Sequence, residues 1–263
     1  MRAIILAAGR ARRFGDALDG RPKCLLELGG TSLLARQTES LRRAGVTDIV
    51  IVRGYAGESL KVPGARYYTN PLYDKTNMVY SLFCASNELT GDVLVTYADI
   101  IVEDRVIRAA LTAPPCAVGV VVDSDWYTYY SARYAEPTKA AESLVLDHDM
   151  RIVEIGAQEP AIDRIQGQYI GVTRFSADGC DSLRKIYGKW SSVAPKAPVM
   201  RGRNAANVYM TDVLQGLIDG RVDVRAIAVR GGWLEFDSQE DYAAALAWEE
   251  AGTLSKYCRL TEE

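Results

Sequence analysis

AIILAAGRARRFGDALDGRPKCLLELGG, residues Ala3–Gly30, is the stretch from which the rest of the chain can be read. Ala3–Leu6 is a short apolar run with the length and composition of a buried strand. Small residues follow at once, Ala7, Ala8, Gly9 and Ala11, and let backbone N–H groups approach a ligand closely. Arg10, Arg12, Arg13, Arg21 and Lys23 load the same segment with positive charge, which suits a polyphosphate. Two phosphate motifs fail against it. No Gly-Lys-Ser/Thr completes a P-loop, and Gly9, Ala11 and Phe14 fill the places that G-x-G-x-x-G reserves for glycine. Taken alone, a solvated basic loop behind a core strand explains the segment equally well.

Working outward, strands and helices alternate. Ser32–Ala44 has the periodicity of an amphipathic helix, with Leu33, Leu34, Leu41 and Ala44 inward and Gly45 as its stop. Asp48–Val52 and Ala65–Thr69 read as strands, Asn77–Leu89 as a helix and Val93–Tyr97 as an apolar strand halting at Ala98-Asp99. A helix around Asp104–Leu111 and a strand Cys116–Val122 follow. This alternation predicts a mostly parallel sheet covered on both faces, with the ligand at the carboxyl ends of its strands. After Asp123 the pattern changes. Ser124–Asp149 is polar and aromatic, with Trp126, Tyr127, Tyr129, Tyr130 and Tyr134. Strands are expected at Arg151–Ile155, Gln168–Phe175, Val222–Val229 and Trp233–Phe236, the last two as a hairpin through Arg230-Gly231-Gly232. Helices are expected at Ser176–Trp190, Asn207–Asp219 and Ser238–Ala251, the last opened by a capping-box variant of Ser238 and Asp241.

The totals set bounds. At 263 residues with 48% hydrophobic and 25% charged side chains, the chain can fill one large α/β core. A net charge of -3 gives no basic field for nucleic acid or an anionic membrane. The five cysteines, at positions 24, 84, 116, 180 and 258, form no C-x-x-C pair, which argues against structural zinc and disulfides and for a cytoplasmic protein. The first strand leaves no room for a signal peptide, and no apolar run reaches membrane-spanning length.

Candidate chemistry gathers at strand ends. Asp99 closes Y-A-D, and Glu235 and Asp237 share one face of W-L-E-F-D at period-two spacing. Carboxylates beside a cationic phosphate loop suit Mg²⁺, although Asp99 and Asp237 could each simply cap a following turn or helix. Asn77 and Ser81, at i and i+4, share a helical face and could read a base, or Asn77 could merely cap that helix. His148, the single histidine, sits in a polar turn and has no predicted role.

The ordered motifs carry a resemblance. A-A-G-x-small-x-R, then Pro22-Lys23, then L-x-x-L-G-G resembles the nucleotidyltransferases that activate sugar phosphates and small phospho-alcohols, with Ala11 where that family usually has glycine. NPLYDKTNMVYSL (Asn70–Leu82), IQGQYIGV (Ile165–Val172), NVYMTDVLQ (Asn207–Gln215) and GGWLEFDS (Gly231–Ser238) look more like the phosphocholine and phosphonate cytidylyltransferases. The resemblance covers nearly the whole chain. It implies one α/β domain, residues 1–263, with a Rossmann-like three-layer sandwich and a mostly parallel mixed sheet. A nucleotide half (about 1–123) would be followed by an antiparallel acceptor-side subdomain (about 124–263).

The implied reaction joins CMP from CTP to a small phosphonate or phosphomonoester and releases pyrophosphate. Leu6, Ala7, Ala8, Gly9, Arg10, Asn77, Ser81, Tyr97 and Ala98 would bind nucleotide, Lys23 and Arg13 would act on the phosphates, and Asp99, Asp237 and Glu235 would hold Mg²⁺. Tyr130, Tyr169, Asp212, Lys75, Arg201 and Arg203 are the acceptor-side candidates. The aromatic run suits a cage for a quaternary ammonium or, equally, a partly exposed core or a homodimer contact. The basic residues Lys75, Arg201 and Arg203 tilt the expectation towards a phosphonate such as aminoethyl- or hydroxyethylphosphonate or phosphonoformate, ahead of phosphocholine. A sugar-1-phosphate nucleotidyltransferase using UTP, dTTP or GTP, and a non-catalytic nucleotide-binding subunit, are the rival readings.

Overall fold

Period-two burial along the central strands fixes the layering. In the computed structural model, which describes residues 1–10, 13, 14 and 18–260, Ala3, Ile5 and Ala7 face one apolar cluster and Ile4 and Leu6 the other. Ala11 and Arg12, expected in the phosphate loop, lie outside the described residues. In chain order the first elements are β1 (Arg2–Ala7), β2 (Glu27–Leu28), β3 (Thr31–Ser32), α1 (Leu33–Arg43), β4 (Asp48–Arg53) and β5 (Arg66–Thr69). Next come α2 (Met78–Cys84), β6 (Val93–Tyr97), β7 (Ile100–Val102), α3 (Asp104–Thr112), β8 (Val118–Asp123), α4 (Trp126–Arg133) and α5 (Pro137–Ala140). The chain closes with β9 (Leu144–Leu146), β10 (Ile152–Ile155), β11 (Gln168–Phe175), α6 (Ala177–Ser191), α7 (Met210–Asp219), β12 (Val224–Val229), β13 (Trp233–Glu235) and α8 (Gln239–Glu250).

Seven strands form the central sheet in the order β12-β8-β11-β6-β1-β4-β5. Only β11 runs against its neighbours; β1 pairs in parallel with both β4 (Arg2 opposite Asp48) and β6 (Arg2 opposite Val93). One face is covered by α1, α3, α4 and α8 through Leu33, Leu41, Val106, Trp126 and Ala245. The other is covered by α2, α6 and α7 through Val79, Leu82, Leu183, Val213 and Leu217. The sheet therefore sits between two helical layers, and each fully buried Leu, Val or Ile contributes about 1.5–3 kcal/mol of transfer free energy. Ser32 caps α1 by accepting from the Ala35 N–H, and Gly45 follows the helix at φ 87°. Ser238 and Asp241 form the capping box of α8. Among the described residues no helix is long and apolar enough to cross a membrane.

The hairpin expected through Arg230-Gly231-Gly232 does not form. β12 pairs in parallel with β8, whereas β13 pairs antiparallel with β7 in a separate two-stranded sheet. The chain leaves β12 through Gly231 and Gly232, at φ 53° and 79°, and buried Asp123 captures the exit by accepting from the Gly231 N–H (2.9 Å) and the Trp233 indole (2.8 Å). Two helices are shorter than expected. α2 ends at Cys84, with a separate 3-10 turn at Ser86–Glu88, and α7 begins at Met210.

Candidate active site

Three loops meet at the carboxyl ends of β1, β4 and β6. Ala98 N–H donates to the Leu6 carbonyl at 3.1 Å and Tyr55 N–H to the Ala8 carbonyl at 3.2 Å, which ties the end of β1 to both neighbours. Leu6, Ala7, Ala8 and Ala98 are buried there, while Gly9 and Arg10 are exposed. Gly54 lets the β4 loop approach, because a Cβ on it would lie 2.5 Å from the Ala8 carbonyl oxygen. At Gly9 a Cβ would meet no atom of the described residues within 4 Å and φ is not positive, so neither their packing nor the backbone conformation demands glycine at that position. Arg10 stacks its guanidinium over Tyr55 at 5.5 Å.

Lys23 sits in a 3-10 turn (Lys23–Leu25) entered from Pro22, and its ammonium reaches across to the strand ends. Nζ lies 2.6 Å from Asp99 Oδ2 and 3.8 Å from Asp237 Oδ1, and Arg13 Nη1 lies 3.6 Å from Asp237 Oδ2. Burial works against the charge on Lys23, but Asp99 and Asp237 outweigh it and raise its pKa above the ordinary 10.5. Burial pushes the Asp237 carboxyl up, against the pull of Lys23. Neither aspartate caps a helix; Ser238 performs that task for α8. β13 and β7 bring the two together, and the Phe236 N–H donates to the Asp99 carbonyl at 3.0 Å.

Glu235, the third acidic candidate, is engaged elsewhere. Its Oε2 accepts from Arg133 Nη1 at 3.0 Å. Burial, with Asp237 adding to it, pushes its carboxyl upward against Arg133. Among the described residues no three His, Cys, Asp or Glu side chains are arranged as a metal cage. Asp99 and Asp237 alone still fit Mg²⁺, because one cation, the Lys23 ammonium, already lies within 4 Å of both. Mg²⁺ sites commonly use one or two carboxylates and complete their shell with substrate phosphates and water.

A cavity of about 520 Å³ opens beside this cluster. Asp99, Asp237, Glu235 and Arg13 line one part of it, and Tyr97, Tyr130, Tyr134, Tyr169 and Tyr209 form aromatic walls. Tyr169 donates or accepts with Thr173 Oγ1 at 2.9 Å and meets Tyr97 edge-on at 5.9 Å. Glu142, Gln158, Gln168, Thr211 and Arg203 supply the remaining polar lining. The Glu142 carboxylate accepts from two neutral donors, Gln158 Nε2 at 2.7 Å and the Thr211 hydroxyl. Burial raises its pKa, against the pull of the Gln158 hydrogen bond and of the Arg201 charge nearby. A larger cavity of about 740 Å³, lined by Arg36, Arg43, Glu103 and Asp104 among others, contains none of Lys23, Asp99 or Asp237.

Several expected residues are placed differently. Ser81 is 4% exposed and accepts from the Asn70 amide at 2.9 Å, so its hydroxyl holds the Asn-Pro turn rather than facing a base. Asn77 caps α2 through its Oδ1 and sends its amide to the Asn207 carbonyl at 3.4 Å. Asp212 is buried as the N3 residue of α7, accepting from the Tyr209 N–H and from Arg201 and Arg203, and is therefore not an open charge for the acceptor. Arg201 is spent on Asp212 and the Ile155 carbonyl, and Lys75 is exposed outside the cavity lining. Arg203 alone of the three basic candidates lines the cavity, stacked over Tyr209 at 4.5 Å. His148 is 88% exposed.

The aromatic run holds a cation, but it belongs to the chain. Arg133 lies over Tyr129, Tyr130 and Tyr134 at 5.0, 5.9 and 4.9 Å. Arg133, Glu142 and Gln158 lie in no motif or periodic stretch, whereas Gln168 and Thr211 lie inside the IQGQYIGV and NVYMTDVLQ motifs without being singled out there.

Residues 3–158 match the family model for the MobA-like NTP transferase domain. CTP:phosphoglutamine cytidylyltransferase of Campylobacter jejuni is 32% identical over 252 residues, 92% of this chain and 97% of that protein. Choline-phosphate cytidylyltransferase of Haemophilus influenzae is 36% identical over 118 residues, 43% of this chain and 49% of that protein. Among solved structures, the CTP:phosphocholine cytidylyltransferase of Streptococcus pneumoniae superposes with a TM-score of 0.71 over 94% of this chain and 97% of its own, at 23% identity.

Proposed function

The chain belongs to the MobA-like NTP transferase family and is a nucleotidyltransferase, and on that premise we propose that it transfers CMP from CTP to a small phosphorylated acceptor carrying an ammonium group, with release of pyrophosphate. The observation that carries this reading is the Lys23 ammonium set between Asp99 and Asp237 at the strand ends, where the acceptor cavity begins. An acceptor phosphoryl oxygen attacks the α-phosphorus in line with the departing pyrophosphate. With a second pKa near ~6 the acceptor is already largely dianionic at neutral pH, so no general base is needed. Catalysis is then positioning and charge neutralisation.

Each residue has a task in that scheme. The backbone N–H groups of Ala8–Arg10 and the Arg13 side chain hold the β- and γ-phosphates; Gly9 is glycine so that the triphosphate can lie against it. Lys23 neutralises charge at the α-phosphate and the incoming oxygen. Asp99 and Asp237 would hold Mg²⁺, which when bound supplies further neutralisation of phosphate charge. The choice of CTP is supported by the named relatives; Ser81 is buried and accepts from the Asn70 amide, which does not favour it as the base reader.

The cavity lining supports the acceptor class. Glu142 lines it with neutral hydrogen-bond donors, Gln158 and Thr211, and only the more distant charge of Arg201, so an ammonium group would supply a direct ion partner. Phosphoglutamine and phosphocholine, the acceptors in the relatives' names, both carry a cationic nitrogen. Because Arg133 already fills the tyrosine cage, a primary ammonium reaching Glu142 is favoured over trimethylammonium. Lys75 and Arg201, two of the three basic residues that favoured a phosphonate acceptor, do not line the cavity. An aminoalkyl phosphonate stays within the class, whereas phosphonoformate and hydroxyethylphosphonate fall outside it. Pyrophosphate release with CTP and Mg²⁺ should be compared for phosphoglutamine, aminoethylphosphonate, phosphocholine, hydroxyethylphosphonate and phosphonoformate, and the leading acceptor repeated with UTP and dTTP. An ammonium-bearing acceptor should lead with CTP by tenfold or more; equal rates with UTP, or a lead for phosphonoformate, would refute the reading.

A further inference from the structure

Arg133 is the most enclosed cation described at the site, with a side chain 1% exposed, yet it is not among the residues that line the cavity. It comes from α4 and reaches both flanks of Asp237. Nη1 donates to Glu235 Oε2 at 3.0 Å and Nε to Asp241 Oδ1 at 3.0 Å. The other oxygen of Asp241 accepts from the backbone N–H groups of Asp237 (3.0 Å) and Ser238 (2.9 Å). Tyr129, whose ring lies under the guanidinium, fixes the Glu235 backbone from the same side, accepting from its N–H at 2.9 Å and donating to its carbonyl at 3.3 Å. Among the described residues Nη2 has no hydrogen-bond partner, so two contacts, to Glu235 and Asp241, define the orientation of this buried group.

We propose that Arg133 is a positioning residue that divides the acidic edge in two: it withdraws Glu235 from the metal-facing set and, through Asp241, fixes the Asp237 backbone so that the Asp237 carboxylate points at Lys23 and Arg13. The consequence is a cation site of two carboxylates, Asp99 and Asp237, although Glu235 lines the same cavity. A guanidinium suits this task because its planar fork engages two carboxylates at fixed angles, which the point charge of lysine does not. The proposal rests on the nucleotidyl-transfer reading only for its meaning in catalysis; cation binding tests it separately.

The experiment uses the full-length protein and titrates Mn²⁺ alone, with free Mn²⁺ counted by electron paramagnetic resonance, alongside steady-state kinetics. Asp237→Asn should weaken Mn²⁺ binding tenfold or more, whereas Glu235→Gln, whose amide oxygen can still accept from Arg133, should stay within threefold of the parent. Arg133→Lys keeps the charge but cannot span Glu235 and Asp241, and should lose tenfold in Mn²⁺ affinity and in kcat with a KM for CTP changed less than threefold. Arg133→Met should do the same where it folds, and Arg133→Lys carries the test where it does not. Loss of Mn²⁺ by Glu235→Gln equal to that by Asp237→Asn would make Glu235 a ligand and overturn the proposal. Parental Mn²⁺ affinity and kcat in Arg133→Lys would reduce Arg133 to packing between α4 and α8, and a parent protein that binds no Mn²⁺ would overturn the proposal as well. Failure of all CTP turnover, with the Mn²⁺ pattern intact, would instead refute the proposed reaction.

Discussion

Replacing Lys23 by methionine removes a cation that touches both Asp99 and Asp237 while keeping most of the side-chain volume. At 2.6 and 3.8 Å, and with an effective dielectric of about 20, the two attractions amount to about 6 and about 4 kcal/mol before desolvation. Desolvating an ammonium that is only 14% exposed offsets several kcal/mol of this. Asp99 and Asp237 are 26% and 37% exposed and can rehydrate, so the expected loss of folding stability is only about 1–2 kcal/mol. The kinetic loss should be larger. Removing one preorganised charge from a transition state costs about 10²–10³ in turnover. The assay is pyrophosphate release at saturating CTP, acceptor and Mg²⁺, with folding checked by thermal and urea unfolding. The pH dependence gives an independent sign. The pKa of Lys23 is raised in the folded protein, so its stabilisation is complete below 10.5 and is lost as pH climbs through the higher folded value. The stability difference between parent and Lys23→Met should therefore be flat from about pH 7 to about pH 10 and shrink above that. A folded Lys23→Met protein turning over within tenfold of the parent would refute the assignment of Lys23 to the reacting phosphates.

Glu142→Gln should raise the KM for an ammonium-bearing acceptor about tenfold or more, with the KM for CTP unchanged, because it removes the charge and keeps the shape; an unchanged acceptor KM would remove Glu142 from recognition. Gly9→Ala should keep the parental melting temperature, since its Cβ meets no atom of the described residues, but should lower kcat/KM for CTP by about tenfold; Gly54→Ala should instead cost about 1–3 kcal/mol of stability by driving a methyl against the Ala8 carbonyl. Steady-state kinetics and urea unfolding on the pair separate ligand space from packing, and parental CTP kinetics in Gly9→Ala would refute the phosphate-loop role. Arg66, then Tyr68 and Arg2, hold the Glu88 carboxyl below its ordinary 4.5 despite burial, so its stabilisation is present above 4.5 and lost as pH falls through the folded value. Glu88→Gln should destabilise by about 1–3 kcal/mol at pH 7 and show a shallower acid loss than the parent; equal acid slopes would refute that coupling.

What was legible in the chain was local. Strand β11 spans the expected residues, the Ser238–Asp241 pair caps as its spacing predicts, and the alternation of strands and helices led to the right layers. Lys23, Asp99 and Asp237 were legible because a strand end and a Pro-Lys turn are marked by neighbouring residues. What failed was decided by distant packing. Ser81 and Asp212 lie on helices whose positions were read nearly correctly, but which face turns inward depends on Asn70 and on Arg201 and Arg203. The hairpin failed because Asp123, far back in the chain, draws Trp233 away from β12. α4 has eight residues with aromatics on several sides, so no stripe marked Arg133, whose partners Glu235 and Asp241 arrive more than a hundred residues later.

The pairing of β13 with β7 has a consequence during translation. Lys23 and Asp99 are made early, with β1, β4 and β6, the three adjacent parallel strands at whose ends they lie. Asp237 follows β13, near the end of the chain, and only the antiparallel register of Trp233 with Val102 brings it beside Asp99. A chain that has emerged only through β8 carries Lys23 and Asp99 but not Asp237, and on the proposed reaction it should show no turnover.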